Sequence, residues 1–204
     1  PDNEPITVQV LPVKYPQGAE KMLITALLGK EVPSGGLPID VNAVVVNVAT
    51  TAEIGRLLPH GRGIQERVIT ITGPGGKKKG NSIIPNGTPL RYVLEQVGID
   101  GTISEVYMGG PMMGFSILDA STPVVKTTNC ILAPSAKKLP PQGDEQACIR
   151  CGLCADACPA EFLPHQLQWF SKAKDHDKLS EYNLSHCIEY SAFAYVCPSQ
   201  LPLV

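Results

Sequence analysis

Net charge is nearly absent from this chain. Over 204 residues, 17 Lys and Arg face 19 Asp and Glu, leaving −2 at neutral pH. Charge alone therefore points to neither nucleic acid nor an acidic membrane surface as a partner. Long apolar runs are missing as well: no stretch approaches the roughly 20 residues that cross a bilayer. The most glycine-rich turn, Gly109-Gly-Pro-Met-Met-Gly114, lacks the GxGxxG spacing of a dinucleotide loop and offers little for a nucleotide. Its glycines instead allow close backbone approach to a neighbouring strand or a ligand. Nothing reads as a signal peptide. What the chain does have is a 43% hydrophobic fraction and length enough for one or two domains with real cores. Gly and Pro, 19 each, make it loop-rich without reaching disordered composition.

The strongest local signal is Cys148-Ile-Arg-Cys151-Gly-Leu-Cys154-Ala-Asp-Ala-Cys158-Pro159. Thiolates at x2, x2 spacing wrap one short loop around an iron–sulfur cubane. The fourth cysteine of such a run, the one before proline, ligates the other cluster in two-cluster ferredoxins. A second run should follow, and one does in altered form: Cys187-Ile-Glu-Tyr190-Ser-Ala-Phe193-Ala-Tyr-Val-Cys197-Pro198. Its first and last cysteines stand, and its two middle positions hold Tyr190 and Phe193.

With crossed ligation, the first cluster uses Cys148, Cys151, Cys154 and Cys197, all present. The second would need Cys158, Cys187 and two thiols that the sequence lacks. A phenol with a pKa near 10 stays protonated and is a poor iron ligand, and Phe193 cannot ligate at all. The pattern predicts one complete 4Fe-4S site and one degenerate remnant. A smaller or labile cluster on Cys158 and Cys187 stays open.

A structural zinc site also uses C-x2-C pairs and four thiolates, but has no use for three cysteines at this spacing plus Cys-Pro. Disulfides fit worse, since seven cysteines is an odd count and the tight spacing suits a metal in a reducing compartment. Cys130 reads as a small buried hydrophobe.

The chain opens Pro-Asp-Asn-Glu-Pro without Met, which reads as a fragment whose upstream part is missing. Ile6–Leu11 is expected to be a strand, the segment between Gly18 and Gly29 a helix, Asp40–Val48 a strand covered on both faces, and Ala52–Leu58 a helix capped by Thr50 or Thr51. That rhythm predicts α/β with a parallel sheet. Next, Glu66–Gly73 and Asn81–Pro85 read as a hairpin around a Lys77-Lys-Lys79 turn. A helix from Leu90 to Val97 follows, with Thr88 as N-cap, Pro89 at N1 and Gly98 at its end. A hairpin followed by a helix opens a small β-grasp module. The lysines suit either a solvated tip or a phosphate site, the tip being the ordinary reading.

A strand from Glu105 leads into the glycine turn, where Met112 and Met113 read as core or interface filler. Residues 134–146 form a proline-bearing linker. Between the cysteine runs, Phe162, Leu163, Leu167, Trp169, Phe170 and Leu179 recur at helical spacing, and Pro164 suits a helix's first turn. His165 and His176 are expected to be exposed surface histidines and not ligands.

The whole chain resembles the C subunit of the Rnf (Rsx) ion-translocating electron-transport complex. The resemblance lies in Lys14-Tyr-Pro-Gln-Gly-Ala-Glu-Lys21, Glu31-Val-Pro-Ser-Gly-Gly-Leu-Pro38, Gly109–Gly114, Lys126-Thr-Thr-Asn-Cys130 and both cysteine runs. It implies a peripheral subunit on the cytoplasmic face of the inner membrane, held there by other subunits of the complex, passing electrons between NADH and ferredoxin or a flavoprotein partner. It implies part of an α/β flavoprotein-like domain, like the NADH-oxidising subunit of complex I, over 1–64. A β-grasp (SLBB) module would follow at 65–101, a return to the α/β domain and linker at 102–145, and a helical two-cluster ferredoxin-like domain at 146–204. Glu20 and Asn47 would border the flavin pocket, although a helix-start carboxylate and a strand-end amide explain them equally. The family's glycine-rich flavin and NADH loop would lie upstream, so FMN and NADH are expected only with that region. Two functions follow: an iron–sulfur relay, or a folded docking piece that transfers electrons poorly.

Overall fold

Alternation decides the central strand. In Glu66–Thr72 (β1), Arg67, Ile69 and Ile71 turn inward while Val68 and Thr70 face out, the period-2 pattern of a half-buried strand. The computed structural model describes residues 6–98, 105–135 and 143–204, which divide into two compact units. One unit holds residues 46–147 with 189–191 and 204, and the other holds 1–45, 148–188 and 192–203.

In the first unit β1 pairs antiparallel with β2 (Gly80–Pro85), in a register that sets Ile69 against Ser82. On its other side β1 runs parallel to β5 (Cys130–Leu132). β3 (Val106–Met108) joins β5 antiparallel and carries β4 (Phe115–Ile117) outside it. The five strands stand in the order β2-β1-β5-β3-β4. The sheet therefore does not close at residue 101. Strands from 106–132, expected to return to an α/β domain, complete the sheet that the hairpin begins.

One helix covers this sheet. α3 (Leu90–Val97) presents Leu90, Val93, Leu94 and Val97, an i, i+3, i+4, i+7 stripe, to Ile69, Ile71, Ile84, Val124 and Ile131. Pro89 is its N-cap, and Thr88, expected to cap, instead donates its hydroxyl to the Pro85 carbonyl at 2.8 Å. Gly98 closes the helix in the left-handed region, as expected. The three lysines lie exposed on the hairpin turn. Lys77 and Lys78 donate their backbone N–H groups to the Gly98 and Val97 carbonyls at the end of α3. Gly73 has φ +111°, and a Cβ there would sit 2.2 Å from the Ala133 carbonyl oxygen, so only glycine fits where β1 meets the chain leaving β5.

Residues 6–64 hold the two predicted helices, α1 (Glu20–Leu28) and α2 (Val48–Leu57), and lack, among the described residues, the two predicted strands. Ile6, Val8 and Val10 are 94%, 84% and 83% exposed. An apolar run becomes a strand only where a neighbour takes up its backbone hydrogen bonds, and no described strand flanks 6–11. The predicted strand 40–48 begins inside a 3-10 turn, Pro38–Val41. Asp40 accepts the Leu37 N–H at 2.8 Å, and Asn42 at φ 58° ends the turn. Val44 and Val46 lie exposed. Asn47, not Thr50 or Thr51, caps α2.

Leu90 is fully buried between α3 and the sheet. Leu90→Ala is expected to lower unfolding stability by about 2–5 kcal/mol, measured by urea denaturation. A loss below about 1 kcal/mol would mean that α3 does not anchor this core.

Candidate iron–sulfur site

The two cysteine runs share one backbone. Each position of the second lies 39 residues after its counterpart, Cys148 to Cys187 and Cys158 to Cys197. Arg150 and Glu189, two residues into their runs, both take left-handed φ, as do Glu161 and Gln200 three residues past each Cys-Pro cysteine. One-turn helices α4 (Leu153–Asp156) and α7 (Ala192–Tyr195) occupy matching places. The hydrogen bonds repeat too. Cys158 N–H reaches the Ala155 carbonyl at 3.1 Å and Cys197 N–H the Ala194 carbonyl at 3.2 Å. Both Glu161 and Gln200 donate back to the carbonyl of the cysteine before them, at 3.2 Å. Non-glycine residues adopt left-handed φ in only a few per cent of cases, so four at matched positions mark a duplicated cluster-binding framework.

Cys148, Cys151 and Cys154 line one cavity of about 240 Å³, and Cys197 from the second run lines it with them. This is the crossed set expected from the spacing. Cys154 and Cys197 are buried, Cys148 is half-buried and Cys151 is exposed, so the cavity has a covered side and an open side. Burial, foremost, pushes the Cys154 thiol up from its ordinary value, and charge on Cys197 adds to the rise.

Tetrahedral zinc, with Zn–S near 2.3 Å, draws its thiolates to roughly 3.8 Å from one another. Among the described residues no three Cys, His, Asp or Glu side chains close to single-ion geometry. Four thiols around a larger cavity fit a multinuclear core better than one ion. The donor chemistry agrees, since four cysteine thiolates are the set that holds a 4Fe-4S cluster.

One residue of this cavity escaped the sequence reading. His165, expected to be exposed, is half-buried, lines the cavity, and places Nδ1 3.7 Å from Cys154 Sγ. It sits in the first turn of α5 (Pro164–Ala173), which Pro164 starts as anticipated. Trp169, one turn on, packs edge-to-face on it with ring centroids 5.6 Å apart. Its i, i+4 spacing to Trp169 marks a shared helix face and does not report the contact to Cys154. His176 is exposed, as expected.

In the second run, Tyr190 and Phe193 occupy the places of Cys151 and Cys154 and are only 7% and 3% exposed. Cys158 is buried and accepts the Phe162 N–H at 3.4 Å, and Cys187 is half-buried. Cys130 on β5 is half-buried rather than fully buried. Met112 is half-buried and Met113 is 46% exposed, so Met113 is not core. Gly109 and Gly114 approach each other, rather than a neighbouring strand or a ligand: a Cβ on Gly109 would lie 2.8 Å from the Gly114 Cα.

Glu20 is exposed at the first position of α1. Asn47 is the N-cap of α2, its Oδ1 accepting the Ala49 N–H at 2.9 Å. The two belong to different compact units.

Two known families match the chain. Residues 1–56 match the Nuo51 FMN-binding domain, and residues 147–201 match a 4Fe-4S dicluster domain. Together they fit a subunit like the Rnf C subunit or the flavin-bearing subunit of complex I. They indicate an electron-transfer subunit of a complex I-like oxidoreductase.

If Cys197 belongs to the first site, Cys197→Ser should abolish iron retention as fully as Cys154→Ser does. Cys130→Ser and Cys187→Ser should keep the iron of the parent protein. Anaerobic iron assays on purified variants decide this, and full iron in Cys197→Ser would break the crossed arrangement.

Proposed function

We propose that the chain is the iron–sulfur relay of an Rnf-type complex, carrying one 4Fe-4S cluster on Cys148, Cys151, Cys154 and Cys197. The observation that carries this reading is the meeting of Cys197 with three thiols of a distant loop at one cavity. When bound, the cluster supplies one-electron storage and transfer. The protein's part is to ligate through four sulfurs, to bury Cys154 and Cys197, and to leave the Cys151 side open to a partner. No acid–base chemistry is asked of it.

Residues 66–132 support a β-grasp module of the SLBB kind: a hairpin, a covering helix, and a mixed sheet whose central strands β1 and β5 are parallel. Among the described residues no helix is long and apolar enough to cross a membrane. Association with the cytoplasmic face of the inner membrane would then come through other subunits. Ferredoxin or a flavoprotein would be the electron partner. Glu20 and Asn47 would border flavin in a protein that includes the upstream region. There Glu20→Gln should weaken FMN retention, and unchanged retention would remove Glu20 from the pocket.

The burial of Tyr190 and Phe193 favours a second reading in one respect. A two-cluster framework with one filled site is a truncated relay, and with no cluster at all it would serve only for docking. Iron and acid-labile sulfide, measured anaerobically with EPR after reduction, separate these readings. About four of each per chain is expected. About eight would refute the single-cluster reading, and none would favour docking. Tyr190→Cys combined with Phe193→Cys should then raise iron toward about eight per chain. Iron unchanged in that variant would mean that the second framework has lost more than its two thiols.

A further inference from the structure

Beside Cys154 lies a side chain that the ligand set does not use. His165 Nδ1 is 3.7 Å from Cys154 Sγ, within reach for a hydrogen bond to sulfur, whose radius exceeds that of oxygen. Its ring is held in place from behind. Trp169 packs edge-to-face on it at 90° and 5.6 Å, and the Arg150 guanidinium lies 5.9 Å from the Trp169 ring centroid, within cation–π range. Arg150 belongs to the cysteine loop itself, between Cys148 and Cys151, and takes left-handed φ. The chain Arg150–Trp169–His165–Cys154 thus runs from the ligand loop to helix α5 and back to a ligand sulfur.

A thiolate bound to metal has no proton to give and can only accept. Cys154 as a ligand therefore requires His165 to donate through Nδ1–H, which fixes the imidazole's tautomer. A donor aimed at a ligand sulfur favours the form of the site that holds more negative charge, which is the reduced one.

We propose that His165 is a positioning and tuning residue of the first cluster site, donating Nδ1–H to Cys154 Sγ and holding the reduction potential above the value the four thiolates alone would give. Trp169 fixes the imidazole, and Arg150 fixes Trp169. The inference rests on the cluster reading above, and its test is read only in protein whose iron and sulfide content has first been measured.

The experiment is an EPR-monitored redox titration of the purified, anaerobically handled chain, as His165→Leu and His165→Gln beside the parent. Poised at the parent midpoint, His165→Leu should show a reduced-to-oxidised ratio lower by about threefold or more, tenfold being about 59 mV for one electron. Gln can still donate, so His165→Gln should recover most of that loss. An unchanged midpoint in His165→Leu, at parent iron content, overturns the proposal while leaving the cluster reading intact. Absence of iron from the parent overturns the cluster reading instead.

Should His165→Leu fail to assemble, pulsed EPR of the reduced parent labelled with ¹⁵N-histidine decides. A weak nitrogen coupling, transmitted through the hydrogen bond, supports the proposal. A strong coupling from nitrogen bound to iron, or none, overturns it.

Discussion

Four thiols must reach one cavity, three from the loop at 148–154 and one from Cys197 near the carboxyl end. The loop turns at Arg150 and Gly152, both left-handed, so that one-turn helix α4 can present Cys154 inward. The segment 159–186 folds as α5 and α6 (His176–Glu181), and Phe170 of α5 packs on Tyr182 just past α6 at 5.0 Å. The second run then repeats the first run's turns and delivers Cys197.

On the proposed reading, the same repeat lets side chains fill one site while the fold is kept. In a cluster-binding framework the inorganic core also fills space, and an empty cavity would forfeit contact energy. Phe193 stands at the place of Cys154 and is more deeply buried than the cysteine, at 3% against 9% exposure. Tyr190 stands at the place of the exposed Cys151 and is itself buried. Aromatic side chains stand at these two positions, while Cys158 and Cys197, the matched cysteines of the Cys-Pro turns, are buried in both halves. Of those two, Cys197 lines the cavity shared by Cys148, Cys151 and Cys154.

How much was legible in the sequence follows from the range of the interactions involved. The meeting of Cys197 with the first cysteine loop at one cavity could be read from the spacing of the two runs, and the hairpin, α3 and the Gly98 stop because their signals are local. Ile6–Leu11 and Asp40–Val48 misled because apolar content says nothing about whether a neighbouring strand is present. Thr50 and Thr51 lost the cap to Asn47, three residues earlier, because the preceding run never formed a strand and the helix starts sooner. His165 was hidden for a different reason. Its contact to Cys154 joins two elements whose approach is set by the cluster loop, and no local pattern reports that. The sheet's extent through β5 depends on parallel pairing between residues 60 apart, such as Thr70 with Cys130, which local patterning cannot reveal.

On the proposed reading, the sulfurs of Cys148, Cys151, Cys154 and Cys197 enclose several irons and not a single ion. Iron-edge X-ray absorption on the anaerobically purified chain tests it most directly. The account predicts a sulfur shell accompanied by an iron–iron scattering shell, and loss of both in Cys197→Ser. A sulfur shell with no metal–metal contribution would contradict it.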